Sequence, residues 1–221
     1  MENKTTPGDA LGKKDFIIGT IIALVMGTTF TLLSSGKSLL VTFVPGIVIT
    51  WLTFAWLYKK QIKLPDGPTF FPLFFATLAW QFIHFAEEFT TGFRTKFPFL
   101  YGGTPYSDNL FVMFNMLSYF VFTLACILVF TKKLRFLLVP VMFYIIYGAI
   151  GNAISHSWWS LSLKSYFPGF ASAQLYWVLG PLVLYKLLGE RRAVIAVVIL
   201  FALVLIPLLT IFSSPAAISS F

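Results

Sequence analysis

Apolar residues run through this chain in long blocks, broken by short stretches rich in glycine, proline and charge. The blocks fall near 16–35, 38–58, 69–90, 109–130, 134–156, 171–188 and 193–213. A helix needs about 20 apolar residues to cross roughly 30 Å of hydrocarbon, so the pattern predicts seven transmembrane helices. The expected fold class is an all-α polytopic transmembrane helical bundle. The excursions between helices are short except at about 91–108 and 157–170, both rich in aromatic and turn-forming residues that suit interfacial loops. Trp158, Trp159, Tyr166 and Phe167 read as interfacial anchors, and Pro168-Gly169 as the turn into the sixth helix. Pro45-Gly46 and Gly180-Pro181 interrupt two blocks and predict kinks. The last block is almost wholly aliphatic, so its helix faces lipid and takes no part in chemistry.

Composition agrees: 58% of the 221 residues are hydrophobic, 11% are charged, and the mean hydropathy is +0.85. The first block is longer than a signal-peptide core and lacks a clear cleavage site, so it reads as a retained helix. The lone Cys126 lies within a block and reads as a small buried hydrophobe. The net charge of +8 would suit nucleic acid only if it were clustered differently. Lys4, Lys13, Lys14, Lys59, Lys60, Lys63, Lys132, Lys133, Arg135, Lys186, Arg191 and Arg192 occupy the amino tail and every second loop. Lys37, Arg94, Lys96 and Lys164 are the remainder. That imbalance places the amino terminus in the cytoplasm and the carboxyl terminus outside, with the basic side against anionic lipid and no nucleic-acid partner. The expected location is the cell membrane of a bacterium.

Glu2, Asp9, Asp15, Asp66, Asp108 and Glu190 fall in tails or loops; Glu87 and Glu88 fall within a helix. Ionisable groups in hydrocarbon are costly and mark function by default. At about 100° per residue, His84, Glu87 and Glu88 share one sector of the third helix, and widening it adds Thr77, Trp80, Gln81 and Thr91. The fifth helix carries Asn152 and His156 at i, i+4, beside the small residues Gly148, Ala149 and Ser155. Glu88 and Asn152 each lie about 18 residues past the inner end of their helices, so they reach one depth near the outer edge of the hydrocarbon. From the opposite direction, Asn115 with Tyr119 and Gln174 with Trp177 reach comparable depth. A single polar pocket near the outer face is therefore expected. Both carboxylates sit at the negative end of the helix dipole, so they need a cationic partner: Arg94, Lys96, a protonated His156 or a divalent metal.

The string His84-Phe85-Ala86-Glu87-Glu88, followed by Asn152-Ala153-Ile154-Ser155-His156 and Pro168-Gly169, resembles the HXXEE-domain family of small bacterial membrane proteins. The resemblance covers roughly 67–187, between an amino-terminal part, 1–66, and a last helix within 188–221. It implies a shared site at His84, Glu87, Glu88, Asn152 and His156 and supplies no reaction.

Three functional classes follow. A metal-dependent membrane enzyme acting on a lipid or lipid-like small molecule would use His84, His156 and Glu87 as ligands to zinc, iron or manganese, with Glu88 as general base or a further ligand. Asn152 would orient substrate or His156. Asn115, Gln174, Tyr119 and Gln81 would bind substrate. A metal-free isomerase or hydrolase would use the adjacent carboxylates and His84 as acid and base. A proton- or cation-coupled binding or transport protein would use the carboxylates as carriers, although the cytoplasmic half of the helices offers no acidic stepping stones. A fourth reading, a His-Glu-Asn network that only fixes packing, leaves two carboxylates at the wrong end of a helix unexplained.

Overall fold

The computed structural model describes residues 10–214; Glu2, Lys4 and Asp9 lie outside the described residues. Among these residues the chain is an all-α bundle without strands. Its helices are α1 (Lys13–Leu33), α2 (Ser38–Val41), α3 (Phe43–Lys60), α4 (Gly67–Thr90), α5 (Phe93–Leu100) and α6 (Asp108–Thr131). A long helix follows, made of a 3₁₀ turn (Arg135–Leu137), α7 (Leu138–Phe143), a π segment (Tyr144–Gly151) and α8 (Asn152–Leu163). Then come α9 (Phe170–Ala173), α10 (Tyr176–Leu188) and α11 (Arg191–Phe212).

Six helical stretches are long and apolar enough to cross a membrane: Lys13–Leu33, Ser38–Lys60, Gly67–Thr90, Asp108–Thr131, Arg135–Leu163 and Arg191–Phe212. The seventh apolar block, expected at 171–188, is divided. Its first turn is α9, and α10 has only 13 residues, about 20 Å of helix. That length is short of the hydrocarbon thickness, and α9 and α10 together return the chain from the end of α8 to the start of α11 at the opposite end of the bundle.

Helix ends follow local chemistry. Gly67-Pro68 opens α4 where the missing proline N–H would have no partner anyway. The Ser107 hydroxyl accepts the Leu110 N–H at 3.2 Å and caps α6. Gln61, Lys164 and Gly189 close α3, α8 and α10 in left-handed backbone. Pro45 stands in the first turn of α3, where its missing N–H removes no helical bond, and Pro181 lies inside α10.

Successive spans alternate in direction, and hydrogen bonds tie together the loops at each end. At one end Arg135 Nη1 donates to the Ala10 carbonyl at 2.9 Å, and Gln61 Nε2 donates to Leu11 at 3.2 Å. At the other end Lys37 N donates to Tyr101 at 3.0 Å, the Ser35 hydroxyl donates to the Thr104 carbonyl at 2.7 Å, and Ser214 N donates to Leu100 at 2.8 Å. The 91–108 excursion at this second end is not an open loop. It folds as α5 and a turn, with Phe93, Phe97, Leu100 and Tyr101 buried.

The Arg135–Leu163 helix is the centre of the bundle, 83% buried against 17% for α1 and 22% for α11. The outer helices present Leu24, Leu32, Met113, Phe120 and Leu203 outward, as lipid-facing helices do. Close approach to the central helix uses glycine: a Cβ at Gly180 would stand 2.7 Å from the Ile150 side chain. The π segment, which hydrophobic periodicity did not predict, lies immediately before Asn152 and His156. Its wider turns re-aim everything that follows along the helix.

Candidate metal centre

One stripe of α4 is buried: Phe70, Phe74, Thr77, Gln81, His84 and Glu88, spaced alternately four and three residues apart. Its outer end meets α8, where His156 is fully buried. The Glu88 carboxylate bridges the two imidazoles, with Oε1 3.4 Å from His84 Nε2 and 3.3 Å from His156 Nε2. The imidazole rings meet edge to face, 4.8 Å between centroids. Trp159 and Phe93 pack on His156 at 5.0 and 5.3 Å, and Tyr176 packs on His84 at 5.5 Å. These aromatic walls keep the cluster dry, so Trp159 and Phe167, each 1% exposed, are not the interfacial anchors expected from their position beside a loop. Tyr166 is exposed.

Glu87 points elsewhere. Its Oε1 accepts from the Tyr166 hydroxyl at 2.6 Å and the Ala171 N–H at 3.0 Å; its Oε2 accepts from the Ser172 N–H at 2.7 Å and from the Ser172 hydroxyl in a short contact. It is therefore not part of the cluster, and the ligand position expected for Glu87 is held by Glu88. Four donors saturate Glu87 and fasten α9 across the end of α4.

That attachment decides the state of His84. Its Nδ1 lies 2.8 Å from the Ser172 hydroxyl. The single hydroxyl proton goes to Glu87, so Ser172 accepts from His84 and Nδ1 carries a proton. Nε2 faces Glu88 Oε1. His156 has its Nδ1 side toward the Pro168 carbonyl and Nε2 toward Glu88. Neither nitrogen of His156, nor Nε2 of His84, makes a hydrogen bond of ordinary geometry among the described residues.

Two buried imidazoles facing one carboxylate call for a cation between them, a proton or a metal ion. A charge-assisted N–H···O bond spans about 2.7–2.9 Å, shorter than both contacts. Donors held about 2.0–2.2 Å from a tetrahedral ion are separated by roughly 3.3–3.6 Å, which matches both. His84, Glu88 and His156 offer one donor atom each, all within 4.8 Å of one another, and this buried group can hold a metal ion. The set would supply three of the donors that a transition metal takes.

Gly169 closes the cluster. Its φ of +84° is strained for other residues, and a Cβ there would lie 2.6 Å from His156 Cε1 and 2.9 Å from Glu88 Cγ. Arg94 is not the partner of either α4 carboxylate; it pairs closely with Asp108 and donates to the Tyr106 carbonyl at 3.3 Å.

Glu88 also lines a cavity of about 90 Å³ whose lining does not include His84 or His156. Gln81, Glu88, Asn115, Tyr119 and Asn152 all line it, so five of the polar residues expected to converge do share one space. They are linked: Tyr176 donates to Gln81 at 2.6 Å, Gln81 to Tyr119 at 3.2 Å, and Tyr119 to Asn115 at 3.1 Å. Gln174 and Trp177 are not among them; both bond to the Ser157 hydroxyl, on the opposite side of α8. Ser172, Gly169 and Tyr166 complete the site without a periodic signal, because they belong to a turn and a four-residue helix. In the sequence Tyr166 reads only as an anchor and Gly169 only as part of a turn and of the family resemblance, and nothing there marks Ser172.

No family model matches this chain, and no curated protein or solved structure matches it. Its chemistry stands on its own residues.

Proposed function

We propose that the protein is a membrane-embedded, metal-dependent enzyme acting on a lipid-like substrate, with His84, His156 and Glu88 as the metal ligands. One observation carries the reading: two buried imidazole Nε2 atoms without hydrogen bonds converge on one carboxylate oxygen at the edge lengths of a metal polyhedron. A divalent ion held there would supply Lewis-acid chemistry, polarising a carbonyl oxygen. The chain's own residues do the rest. Glu87, through Ser172, holds His84 with its Nε2 lone pair presented; Gly169 and the aromatic walls exclude water; Asn152 and Asn115 orient the substrate. The convergence of two imidazoles on one buried carboxylate oxygen also favours this reading over metal-free acid/base chemistry by the adjacent carboxylates, since Glu87 is turned away and saturated by other donors. A coupled carrier would need a through-path, whereas the cavity lining stops in mid-bundle at Phe122, Phe143 and Tyr144.

In this proposal the protein is a bacterial cell-membrane protein with its amino terminus in the cytoplasm, supported by the eleven basic residues at the Ala10 end of the described bundle against Lys37, Arg94, Lys96 and Lys164 at the other. The H-x-x-E-E and N-x-x-x-H strings are, in the same proposal, the marks of an HXXEE-domain protein. Elemental analysis of protein purified in detergent is the test. Wild type carries about one equivalent of a transition metal, and His84→Ala and His156→Ala carry far less. Wild-type protein that binds none when supplied with zinc, iron or manganese overturns the reading.

A further inference from the structure

We infer that the cavity beside Glu88 binds the head of a single-chain amphiphile whose polar group is uncharged and donates hydrogen bonds, such as a hydroxyl or an amide N–H. This deepens the lipid-like substrate proposed above and rests on that reading.

The first argument is size. The cavity is narrow, about 90 Å³, and suits a small head group with the first carbons of one chain. The wall opposite the polar residues is aromatic, with Phe30, Phe43, Phe111, Phe114 and Phe122 presenting ring faces and edges that suit methylene groups. The lining runs from buried Glu88 to exposed Leu110, beside Leu33 and Tyr106, so the mouth lies at the outer ends of α1 and α6.

The second argument is the direction of the protons already in use. Asn152 Nδ2 donates to the Gly148 carbonyl at 2.9 Å and Asn115 Nδ2 donates to the Phe111 carbonyl at 2.8 Å. The Ser118 hydroxyl donates to the Phe114 carbonyl at 2.7 Å, and the Tyr119 hydroxyl to Asn115. With those protons committed, the atoms left to meet a ligand are the acceptors Asn152 Oδ1, Ser118 Oγ and the Glu88 carboxylate, together with one remaining N–H each on Asn115 and Asn152. A ligand that brings donors satisfies those acceptors. The Tyr144 hydroxyl, fully buried in the same lining, makes no hydrogen bond of ordinary geometry and is available to the acceptor atom of the same hydroxyl or amide.

The third argument is charge. Glu88 is the single carboxylate in the lining, and no lysine or arginine joins it among the described residues. A phosphate or carboxylate head would face acceptors and a negative group with no side-chain cation to meet it, a penalty that low dielectric enlarges. The lining side chains thus favour an uncharged head over an anionic one.

The test compares monoacylglycerol, lysophosphatidic acid and diacylglycerol of matched chain length, binding to the full-length protein released from detergent and read by native mass spectrometry. Monoacylglycerol binds at least tenfold more tightly than the other two. Ser118→Trp and Asn115→Leu, which fill or depolarise the cavity, abolish that binding and keep the wild-type metal content, which also reports that they fold. Equal or tighter binding of lysophosphatidic acid, or unchanged binding in both variants, overturns the inference. Protein that binds monoacylglycerol selectively but no metal supports the inference and refutes the metal reading alone; metal-loaded protein indifferent to the three lipids does the reverse.

Discussion

Ser172→Ala isolates the contact that sets His84. The substitution removes one hydroxyl and leaves the backbone N–H groups of Ala171 and Ser172 and the Tyr166 hydroxyl on Glu87, so α9 stays attached. It leaves His84 Nδ1–H, at a fully buried residue, without an acceptor. An unmet buried donor costs about 1–3 kcal/mol. The imidazole escapes by moving its proton to Nε2, where Glu88 accepts it. That proton then occupies the lone pair a metal needs, and metal binding has to restore the unfavourable tautomer. The loss in affinity is the same 1–3 kcal/mol, or about five- to 150-fold at 1.4 kcal/mol per tenfold. This range spans the 10- to 100-fold typical of residues that orient a metal-bound histidine. The assay is equilibrium competition with a chelator of known affinity, with protein-bound metal measured after desalting. Ser172→Thr keeps a hydroxyl and returns the affinity to within a few-fold of wild type. Metal affinity of Ser172→Ala within twofold of wild type would refute the relay through Ser172.

Three further outcomes test neighbouring steps. Glu88→Gln lowers metal affinity by more than the Ser172 change because it removes an anionic ligand, and thermal melts of the variant lose their dependence on added metal; a melt that still rises with metal contradicts the ligand assignment. Gly169→Ala combines left-handed backbone, worth about 1–2 kcal/mol, with a Cβ driven into His156, so it lowers the melting temperature and releases metal together; a variant matching wild type in both shows that the turn does not close the site. The Tyr166 hydroxyl is held above its ordinary value of 10 by burial and by its hydrogen bond to Glu87. Its folded value exceeds the unfolded one, so its contribution is complete below about pH 10 and disappears as pH rises through the raised value. Tyr166→Phe should remove that alkaline loss from a stability–pH profile; an unchanged profile rejects the assignment.

Much of the fold was legible because hydrocarbon thickness sets a length that apolar blocks either reach or miss. The stripe on α4 was legible because helical spacing is regular, and matching depths correctly brought Gln81, Glu88, Asn115, Tyr119 and Asn152 to one space. The division of labour between Glu87 and Glu88 was not. Adjacent residues differ by only about 100° and fall within one broad polar sector. What separates them is a four-residue helix, α9, whose N–H groups and serine hydroxyl capture one of the two. Gln174 shows the same limit from the other side, since its depth was right but its face turned to Ser157.

By itself, then, the amino-acid sequence determined the helical class, the spans and the side chains that hydrocarbon would not tolerate without purpose. Those properties depend on length, period and charge counts along one helix at a time. The tertiary structure alone decided which carboxylate faces the imidazoles, which tautomer His84 adopts and where the ligand cavity lies. Each of these depends on hydrogen bonds and close approaches between segments about 70 to 90 residues apart, such as Ser172 to His84 and Gly169 to Glu88, and no periodic pattern within one helix encodes them.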